Sequence, residues 1–349
     1  MKLVKLVPTL VTIAAALLAA LGAVPASADP PPAAAGTTSH GFAFDRGRLT
    51  AIDHPEAATV PATPDGQTGT GALGVNDRGQ ILGVYEGRDR IVRHFVRDRQ
   101  GRFAVIDDPP GTSGNGLTYE AVDINNRGEI VGFYNDDQGA TTTGFLRSRK
   151  GRFTDVNVPG SVVTGPLRIN DRRQVVGIYA DAGGAVHGFL GDDGQFATID
   201  VSGATATVVL GINNRGQTVG SYVDAGGAYH GFLRERDGDV TTLPEAPGAE
   251  PTMGGTQPAM INDRGQIVGV AYDAKGGSRG FLLDRGRFTL LDGTRGATYT
   301  RALDIDNRGR IVGDYGTKPP VGDGNGSARR LDLGRGLQSG ATEAETWLP

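Results

Sequence analysis

The sequence predicts an all-β protein, a six-bladed β-propeller of four-stranded blades. Three observations lead to this fold class. A short phrase recurs six times, each repeat contains four short apolar runs separated by turn residues, and the two ends of the chain carry complementary halves of one repeat. A repeat length in the forties is typical of propeller blades and of helical arrays, so the composition of the repeat decides between them.

The recurring phrase is an apolar residue followed by Asn, then Asp or Asn, then Arg and Gly. Its Asn position falls at Asn76, Asn125, Asn170, Asn213, Asn262 and, with a change of residue, Asp306. Asn bonds readily to its own turn backbone, and Gly accepts the left-handed conformation that follows a type I turn, so the phrase predicts a tight hairpin. Arg173 takes the Gly position in the third copy, where we expect it to strain the turn or change its type.

Each repeat reads as four strands. In the first copy the runs are 72–75, 80–86, 93–97 and 102–107, and they are rich in Val, Ile, Leu, Phe and Tyr. No stretch has ten or more residues of uninterrupted helical periodicity, and glycine is frequent throughout, which disfavours helical repeats. The three links inside a repeat are hairpin-sized, whereas the link to the next repeat is longer, as expected when an outermost strand returns to the axis.

The ends of the chain predict how the ring closes. Residues 40–53 match the third and fourth runs of a repeat, and residues 301–315 match the first and second. We therefore expect the N-terminal strands to complete the last blade, so that one domain spans 40–315 and leaves no open sheet edge. Residues 29–39 are a Pro- and Ala-rich linker, and 316–349 is predicted to be a mostly disordered tail.

The first 28 residues have the composition of a signal peptide. Lys2 and Lys5 precede a nearly all-apolar run, and Ala26-Ser27-Ala28 is a small-x-small cleavage pattern. An uncleaved anchor is the alternative, but the run is short for a bilayer span of roughly 20 residues. We predict export with cleavage near Ala28, and hence a secreted or extracellular protein with no membrane span in the mature chain.

Composition excludes several classes of function. The chain has no Cys, which removes disulfides, thiolate metal sites and Cys nucleophiles. A formal net charge of −4 gives no electrostatic reason to expect nucleic acid as a partner. No serine elbow, zinc spacing or phosphate loop occurs, and we predict no cofactor, no metal and a monomer.

The repeated strands resemble a known family. The phrase Ile-Asn-Asn-Arg-Gly-Gln, a Val-Gly-x-Tyr strand and a His-Gly-Phe strand resemble the HAF-repeat family of extracellular bacterial proteins, named for a His-Ala-Phe triplet. The triplets here begin at His40, His187 and His230 and have Gly in the middle. The resemblance covers most of the chain. It implies a secreted repeat protein and carries no agreed activity, so it transfers no catalytic residue.

Residues that recur in every repeat are interpreted as structural. Phenylalanine occupies one strand position at Phe42, Phe95, Phe145, Phe189, Phe232 and Phe281, and tyrosine ends the second strand at Tyr85, Tyr134, Tyr179, Tyr222, Tyr272 and Tyr315. Both sets are expected to pack blade against blade. The triplet histidines lie too far from the axis to converge on one ion. Two interpretations remain open for the arginines of the phrase, which either bond local carbonyls or form a cationic rim for an anionic partner: Arg78, Arg127, Arg172, Arg215, Arg264 and Arg308.

Function in a repeat protein is expected where the repeats differ. Six residues before the Asn position the repeats carry Thr except at Tyr119, while the positions five and two residues before it vary in charge. If the strand order is right, these variable residues line the axial channel at its loop-bearing mouth. The predicted ligand-binding residues are Tyr119, Glu120, Asp123, Arg168, Gln257, Arg301 and Asp304.

Two classes of function remain. The favoured hypothesis is a non-catalytic binding or scaffold module for a cell-wall polymer, a glycan or a protein. The alternative is an extracellular hydrolase or lyase acting on a polysaccharide, with Glu120, Asp123 and Asp304 as acid, base or Ca²⁺ ligands. Two carboxylates can hydrolyse glycosides at separations of about 5 to 9 Å, a distance that sequence does not supply.

Overall fold

A computed structural model of the chain describes residues 38–58, 68–110, 112, 119–135, 142–293 and 296–317. Within these ranges the chain forms twenty-four β-strands and one 3-10 helix, Pro251–Met253, which confirms the predicted all-β class. The strands are β1 (Thr38–Asp45), β2 (Arg48–Ile52), β3 (Thr68–Val75), β4 (Ile81–Glu86), β5 (Val92–Arg97), β6 (Phe103–Val105), β7 (Tyr119–Ile124), β8 (Ile130–Asn135), β9 (Thr142–Arg147), β10 (Phe153–Val156), β11 (Val163–Ile169), β12 (Val175–Ala180), β13 (Val186–Asp192), β14 (Gln195–Ile199), β15 (Ala206–Ile212), β16 (Thr218–Val223), β17 (Tyr229–Arg234), β18 (Val240–Thr242), β19 (Thr256–Ile261), β20 (Ile267–Tyr272), β21 (Ser278–Asp284), β22 (Arg287–Leu291), β23 (Ala297–Ile305) and β24 (Ile311–Thr317).

The strands pair antiparallel in sets of four, and each set is called a sheet below. Sheets 1 to 5 contain β3–β6, β7–β10, β11–β14, β15–β18 and β19–β22, in chain order. Sheet 6 contains β23, β24, β1 and β2. The first strands contact one another in cyclic order, from β3 through β7, β11, β15, β19 and β23 back to β3. Short parallel bridges also join β1 to β3 and β9 to β11.

Sheet 6 is assembled from both ends of the described chain. Strand β1 pairs with β24 in a continuous antiparallel register from Thr38 opposite Thr317 to Phe44 opposite Ile311. Strand β2 then pairs with β1 as the outer strand. This is the pairing between the N-terminal and C-terminal half-repeats that the sequence predicts. The signal segment, nearly all of the linker and of the tail, and the crossover loop residues 113–118 lie outside the described residues.

The recurring phrase forms the turn between the first and second strands. In sheet 1 the Asn76 side-chain oxygen accepts the backbone N–H groups of Arg78 and Gln80, and the Gly79 N–H donates to the Asn76 carbonyl at 2.8 Å. The same three bonds recur in the other five copies. Arg173 keeps the turn type, because its N–H still donates to the Asn170 carbonyl, and it adopts the left-handed conformation with φ of 67°. The turn is therefore strained rather than changed.

Two turns of each sheet lie at the same edge. In sheet 1, Ile81 pairs with Arg97, so the turn after β3 and the turn after β5 are neighbours. This edge is called the turn edge. The connections from one sheet to the next leave from the opposite edge, called the loop edge.

Every first strand contains a β-bulge at one position, which the sequence did not predict. The pairing register with the second strand shifts around one buried residue at this shared position in each sheet, and β23 has a second shift between Ala297 and Tyr299. The six bulge residues are Leu73, Val122, Leu167, Leu210, Ala259 and Leu303. A bulge adds an unpaired residue and redirects the side chains that follow it. The residue just after the bulge therefore does not follow the alternation of the earlier strand residues.

The repeated phenylalanines pack between neighbouring sheets, as predicted. All six are buried, and each joins a cluster with apolar residues of its own or a neighbouring sheet. Phe42 of β1, for example, packs with Ala302, Ile311 and Tyr315 from the other end of the chain. Burying a side chain of this size contributes about 1.5 to 3 kcal/mol, so each position stabilises the packing of one sheet on the next.

The described residues contain no helix with the length and apolar character that a bilayer span requires.

Candidate functional site

A ring of alternating Asp and Asn side chains joins the six sheets at the turn edge. The residue after the turn Asn changes from sheet to sheet in the order Asp77, Asn126, Asp171, Asn214, Asp263 and Asn307. Each backbone N–H donates to Oδ1 of the next member at 2.7 to 2.8 Å. Each Asn Nδ2 also donates to Oδ2 of the Asp on either side, at 2.7 to 3.2 Å. The alternation gives every donor an acceptor, which an all-Asp or all-Asn ring does not.

A second ring of bonds lies beside the first and has one gap. The turn Asn of each of the first five sheets donates its Nδ2 to the backbone carbonyl of the corresponding residue in the next sheet. In sheet 6 this residue is Asp306, whose Oδ2 is buried and has no partner among the described residues. Burial raises the pKa of Asp306, and the neighbouring Arg310 opposes that rise. The sixth junction therefore lacks the amide donor that the other five have.

The rings surround a small cavity on the axis. Its volume is about 50 Å³, which is room for very few waters, and it is lined by the turn residues of all six sheets together with Asp123, Met260 and Asp304. Asp123 and Asp304 were expected at the loop-bearing mouth of the channel, but they lie at the turn edge instead. They directly follow the bulges in β7 and β23, close to the turns.

Arg168 closes the axial channel above this cavity. The side chain is fully buried, and its guanidinium reaches from β11 across to sheet 6, where Nη2 donates to the Leu303 carbonyl at 2.5 Å. Nη1 donates to the Leu167 carbonyl at 3.0 Å. Sheets 3 and 6 are opposite one another in the cyclic order, so the side chain spans the axis. A ligand entering the channel from the loop edge would therefore meet a plug, not an open funnel.

Asp123 and Asp304 flank the Arg168 plug and join neighbouring first strands. Asp123 accepts the N–H groups of Ile124 and of Ile169 in the next sheet, at 2.8 and 2.9 Å. Asp304 accepts those of Ile305 and Val75, at 2.7 and 2.6 Å, and so links sheet 6 to sheet 1. Both carboxylates are occupied by backbone donors.

Burial governs the titration of these two acids. It raises the pKa of Asp123, against the attraction of Arg168 and two backbone hydrogen bonds. Burial, followed by the repulsion from Asp123, raises the pKa of Asp304 to about 7. A carboxyl that is protonated near neutral pH is a property of many active sites, but here it is explained by desolvation of an interior cluster.

Two of the other predicted site residues, Arg301 and Gln257, bond to nearby groups and not to Arg168, Asp123 or Asp304. Arg301 forms a bidentate ion pair with Asp314 on the neighbouring strand, at 2.8 and 2.9 Å, and its guanidinium lies over the Tyr299 ring. Gln257 donates from Nε2 to the Gly254 carbonyl at 3.0 Å. Both side chains are buried. The structure therefore divides the seven predicted residues into separate groups.

Tyr119 and Glu120 form a third group with a residue that the sequence analysis missed, His94. The imidazole Nε2 lies 3.2 Å from Glu120 Oε2, and the imidazole and Tyr119 ring centres are 4.7 Å apart. His94 is fully buried, and its Nδ1 has no partner among the described residues. Burial also raises the pKa of the Tyr119 hydroxyl, with a further contribution from Asp108. The group is called the His94 cluster below, and it lies between sheets 1 and 2 toward the loop edge.

A sequence signal for His94 was available. The residue after the triplet His position is Gly in the other five repeats, at Gly41, Gly144, Gly188, Gly231 and Gly280. At Gly144 and Gly188 the backbone of the outer strand and the side chain of the next sheet's first strand leave no room for a Cβ. At sheet 1 that space accommodates an imidazole, so the interface between sheets 1 and 2 has a different construction from the others.

Tyr119 occupies a position that is Thr in the other five sheets, and it lacks the hydrogen bond that those threonines make. Thr70, Thr164, Thr207, Thr256 and Thr300 each accept a backbone N–H from the loop that enters their strand. Tyr119 does not make this bond. Its hydroxyl lies 3.5 Å from the Ile106 carbonyl instead. The nearly uniform ring at this position is thus structural in five sheets, and sheet 2 departs from it.

The triplet histidines pair with local carboxylates. His40 contacts Asp53 at 3.1 Å, His187 contacts Asp200 at 2.8 Å, and His230 contacts Asp224 at 2.9 Å. Each ring also lies against the tyrosine on the adjacent strand, with ring centres 5.0 to 5.2 Å apart. Among the residues described, no group of three or more acidic or histidine side chains is arranged to hold a metal ion.

Comparisons with known proteins identify the fold. No family model and no curated protein matches the chain. Among solved structures, the chain is similar to a putative TolB from Agrobacterium tumefaciens, with 13% identity, a TM-score of 0.55, and coverage of 80% of this chain and 98% of that one. A TolB from Acinetobacter baumannii has 13% identity and a TM-score of 0.48, with coverage of 88% and 68%.

A lectin is also among the similar structures. A mutant of the Aleuria aurantia lectin in complex with α-methyl-L-fucoside has 10% identity and a TM-score of 0.43, with coverage of 74% of this chain and 94% of that one. The architecture and the similarity to the first TolB structure define the chain as a β-propeller protein.

Proposed function

We propose that this chain is a secreted, non-catalytic binding module folded as a closed, six-bladed propeller. Each of the six sheets is one blade in this proposal, and β1 and β2 complete the blade that β23 and β24 begin. Three contacts between sheets 6 and 1 support closure: the Asn307 to Asp77 bond, the Asp304 to Val75 bond and the packing of β23 on β3. An alternating ring of two residue types closes only with an even number of members, in agreement with six.

The state of the carboxylates favours binding over catalysis. Asp123 and Asp304 each accept two backbone N–H groups and are buried beside a side chain that blocks the channel. Glu120 is bonded to His94. A general acid and base have to reach a substrate and exchange protons with it. Asp123 and Asp304 are not free to do so in this arrangement, which leaves Glu120 without the pair of carboxylates that the hydrolase or lyase hypothesis requires.

We place the ligand site at the His94 cluster, and one observation carries this choice. Two positions that are uniform in the other repeats are occupied by His94 and Tyr119, and these two residues lie together with Glu120, the one acidic residue at its repeat position, at a single interface. Tyr119 and Glu120 are partly exposed and offer stacking and hydrogen-bond partners to a sugar ring or a peptide, while the buried His94 imidazole holds Glu120 in place. The ligand in this proposal is a glycan, a cell-wall polymer or a protein segment outside the cell.

The repeats themselves supply the test. A variant with His94→Gly, Tyr119→Thr and Glu120→Gly carries at each position a residue found in other blades, so it is expected to fold. Thermal shift and calorimetry against glycans and peptidoglycan fragments should detect a ligand for the native chain and at least a tenfold loss of affinity in the variant. Gln257→Gly makes the same kind of change in sheet 5 and should leave affinity unchanged.

The same panel separates binding from catalysis. The enzyme hypothesis requires turnover of a polysaccharide that Glu120→Gln, Asp123→Asn or Asp304→Asn abolishes while binding persists. Turnover with that pattern would overturn the binding proposal. Equal affinity of the native chain and the triple variant for every ligand found would overturn the placement of the site.

A further inference from the structure

The turn edge presents a circle of exposed arginines. The fourth residue of the recurring phrase is solvent-exposed in all six sheets: Arg78, Arg127, Arg172, Arg215, Arg264 and Arg308. Within the described ranges, none of these six guanidinium groups makes an ion pair or a hydrogen bond to a carbonyl. The sequence left two interpretations of these arginines open, and the described residues show no bond of the first kind, from a guanidinium to a local carbonyl. The cationic rim is the interpretation that remains.

The six arginines are held on a rigid base. The backbone N–H of each arginine donates to the side chain of the Asn or Asp that begins the turn, as Arg78 does to Asn76 at 3.1 Å. The preceding residue of each turn belongs to the alternating Asp and Asn ring, which fixes the six turns relative to one another. The ring therefore fixes the backbone positions from which the six side chains extend, so that binding has to order the side chains but not the turns.

A second, outer set of arginines surrounds the first. The turns between the third and fourth strands expose Arg46, Arg99, Arg149, Arg236 and Arg285, while sheet 3 has Asp193 at this position. The stems of Arg149 and Arg236 lie against the inner turn glycines Gly128 and Gly216. Inner and outer arginines therefore occupy one continuous surface.

This surface is basic although the formal net charge of the whole chain is −4. Acidic residues begin the turns at the opposite edge, where Asp181, Asp224 and Asp273 each accept two turn N–H groups. Exposed arginines are concentrated at the turn edge, where they stand among acidic turn residues such as Asp98, Asp192 and Glu235. A local concentration of arginine attracts an anionic partner to that face.

We propose that the turn edge binds a linear polymer of phosphate groups outside the cell. Arginine presents a planar fork of donors that matches phosphate oxygens, and all but one of the basic residues in these turns are arginine. The arginines are distributed over the turns of all six sheets around the axis, so a single small anion contacts only a few of them. A polymer contacts many at once and gains affinity from the multiple contacts.

An anionic membrane is disfavoured by the same turns. The inner and outer turns consist of Asn, Asp, Glu, Gln, Ser, Gly, Arg and Lys, with no aromatic or apolar side chain to enter a bilayer interface. Nucleic acid shares the phosphate chemistry, but the predicted export of the chain separates it from nucleic acid. The experiment therefore includes both anionic vesicles and nucleic acid as competing ligands.

The experiment measures binding of the full mature chain to long-chain inorganic polyphosphate by calorimetry at several salt concentrations. We expect affinity that rises with polymer length and falls steeply with salt, and no detectable binding of orthophosphate. A variant with Arg78→Gln, Arg215→Gln and Arg308→Gln should bind at least tenfold more weakly. The matched control is Arg88→Gln, Arg90→Gln and Arg279→Gln, which removes the same charge from exposed positions near the loop edge and should bind like the native chain.

Each contrary result overturns the proposal. Equal weakening in both triple variants would show that only net charge matters, and no binding at low salt would remove the site. Tighter binding to a DNA duplex of equal phosphate count, or to anionic phospholipid vesicles, would assign the surface to those partners instead. Thermal melts of both variants check folding. The His94 cluster is not altered, so the outcome is independent of the ligand proposed there.

Discussion

The backbone N–H of Asn307 donates to Oδ1 of Asp77 at 2.7 Å, although 230 residues separate them. The Asn307 side chain also donates to Asp77 Oδ2 at 3.0 Å and to Asp263 Oδ2 at 2.9 Å. The last sheet is thereby joined to the first by the same bonds that join consecutive sheets. A chain without disulfides thus gains a junction between distant segments from two short side chains.

Asp77→Asn should destabilise the fold. The substituted amide would face the Nδ2 donors of Asn126 and Asn307, so two hydrogen bonds are lost and donors oppose one another. We expect a loss of about 1 to 3 kcal/mol in the free energy of unfolding, measured by denaturant titration. The control is Asp193→Asn, an exposed turn residue whose left-handed conformation Asn tolerates. An unchanged midpoint for Asp77→Asn would contradict the stabilising role of the ring.

Asp306→Asn should stabilise the fold. The new amide would supply the donor missing between sheets 6 and 1, facing the Asn76 carbonyl as the Asn residues of the other sheets do. We expect a gain of about 1 kcal/mol at pH 7.5. Because burial raises the native pKa of Asp306, the native chain is stabilised by its protonation at low pH and loses that contribution as pH rises through this pKa. The advantage of the variant should therefore shrink toward pH 4, and an advantage that grew there would contradict the assignment.

Asp304 should make stability decrease with pH through the neutral range. Its pKa is about 7 in the folded chain against 3.8 for an unperturbed aspartate, so the folded state binds the extra proton. The stabilisation is complete below the lower pKa and is lost as pH rises through about 7. Urea unfolding from pH 5 to 8.5 should show a loss on the order of 1 to 4 kcal/mol relative to Asp304→Asn, whose profile lacks this group. Parallel profiles for the two proteins would refute the shift.

Arg173→Gly should relieve strain in the third turn. A non-glycine residue in the left-handed region costs about 1 to 2 kcal/mol, and Gly occupies this position in the other five copies. The exposed ion pair of Arg173 with Glu129 at 3.2 Å is lost, and such pairs contribute about 0 to 1 kcal/mol. We expect a small net increase in the melting temperature. Gly128→Arg should lower it for the same reason, and the opposite order would show that the backbone conformation is not the cause.

The sequence predicts the strands and their grouping because turn chemistry is local. Asn76 to Gly79 specify one hairpin, and the first predicted run after it, 80–86, is β4 at Ile81–Glu86. The half-repeats at residues 40–53 and 301–315 correspond to β1, β2, β23 and β24, which pair as one sheet.

The side-chain environment of the candidate site could not be predicted as well. Asp123 and Asp304 come only two residues before the turn, so they lie at the turn edge and not at the predicted loop-bearing mouth, and the bulges at Val122 and Leu303 change the direction of their side chains. The reach of Arg168 across the axis depends on the tertiary structure. The alternating ring and His94, by contrast, were visible as differences between aligned repeats.

Closure of the ring by β1 is the central claim, and a disulfide across β1 and β24 tests it most directly. Ala43 pairs opposite Val312, and both pack in one apolar cluster. Since the chain has no Cys, an Ala43→Cys and Val312→Cys variant has one possible intramolecular disulfide. It should form quantitatively on oxidation and, by closing a loop of more than 250 residues, raise the free energy of unfolding by about 5 kcal/mol in the chain-entropy model. Two thiols that stay free in the folded, oxidised protein would contradict the closure.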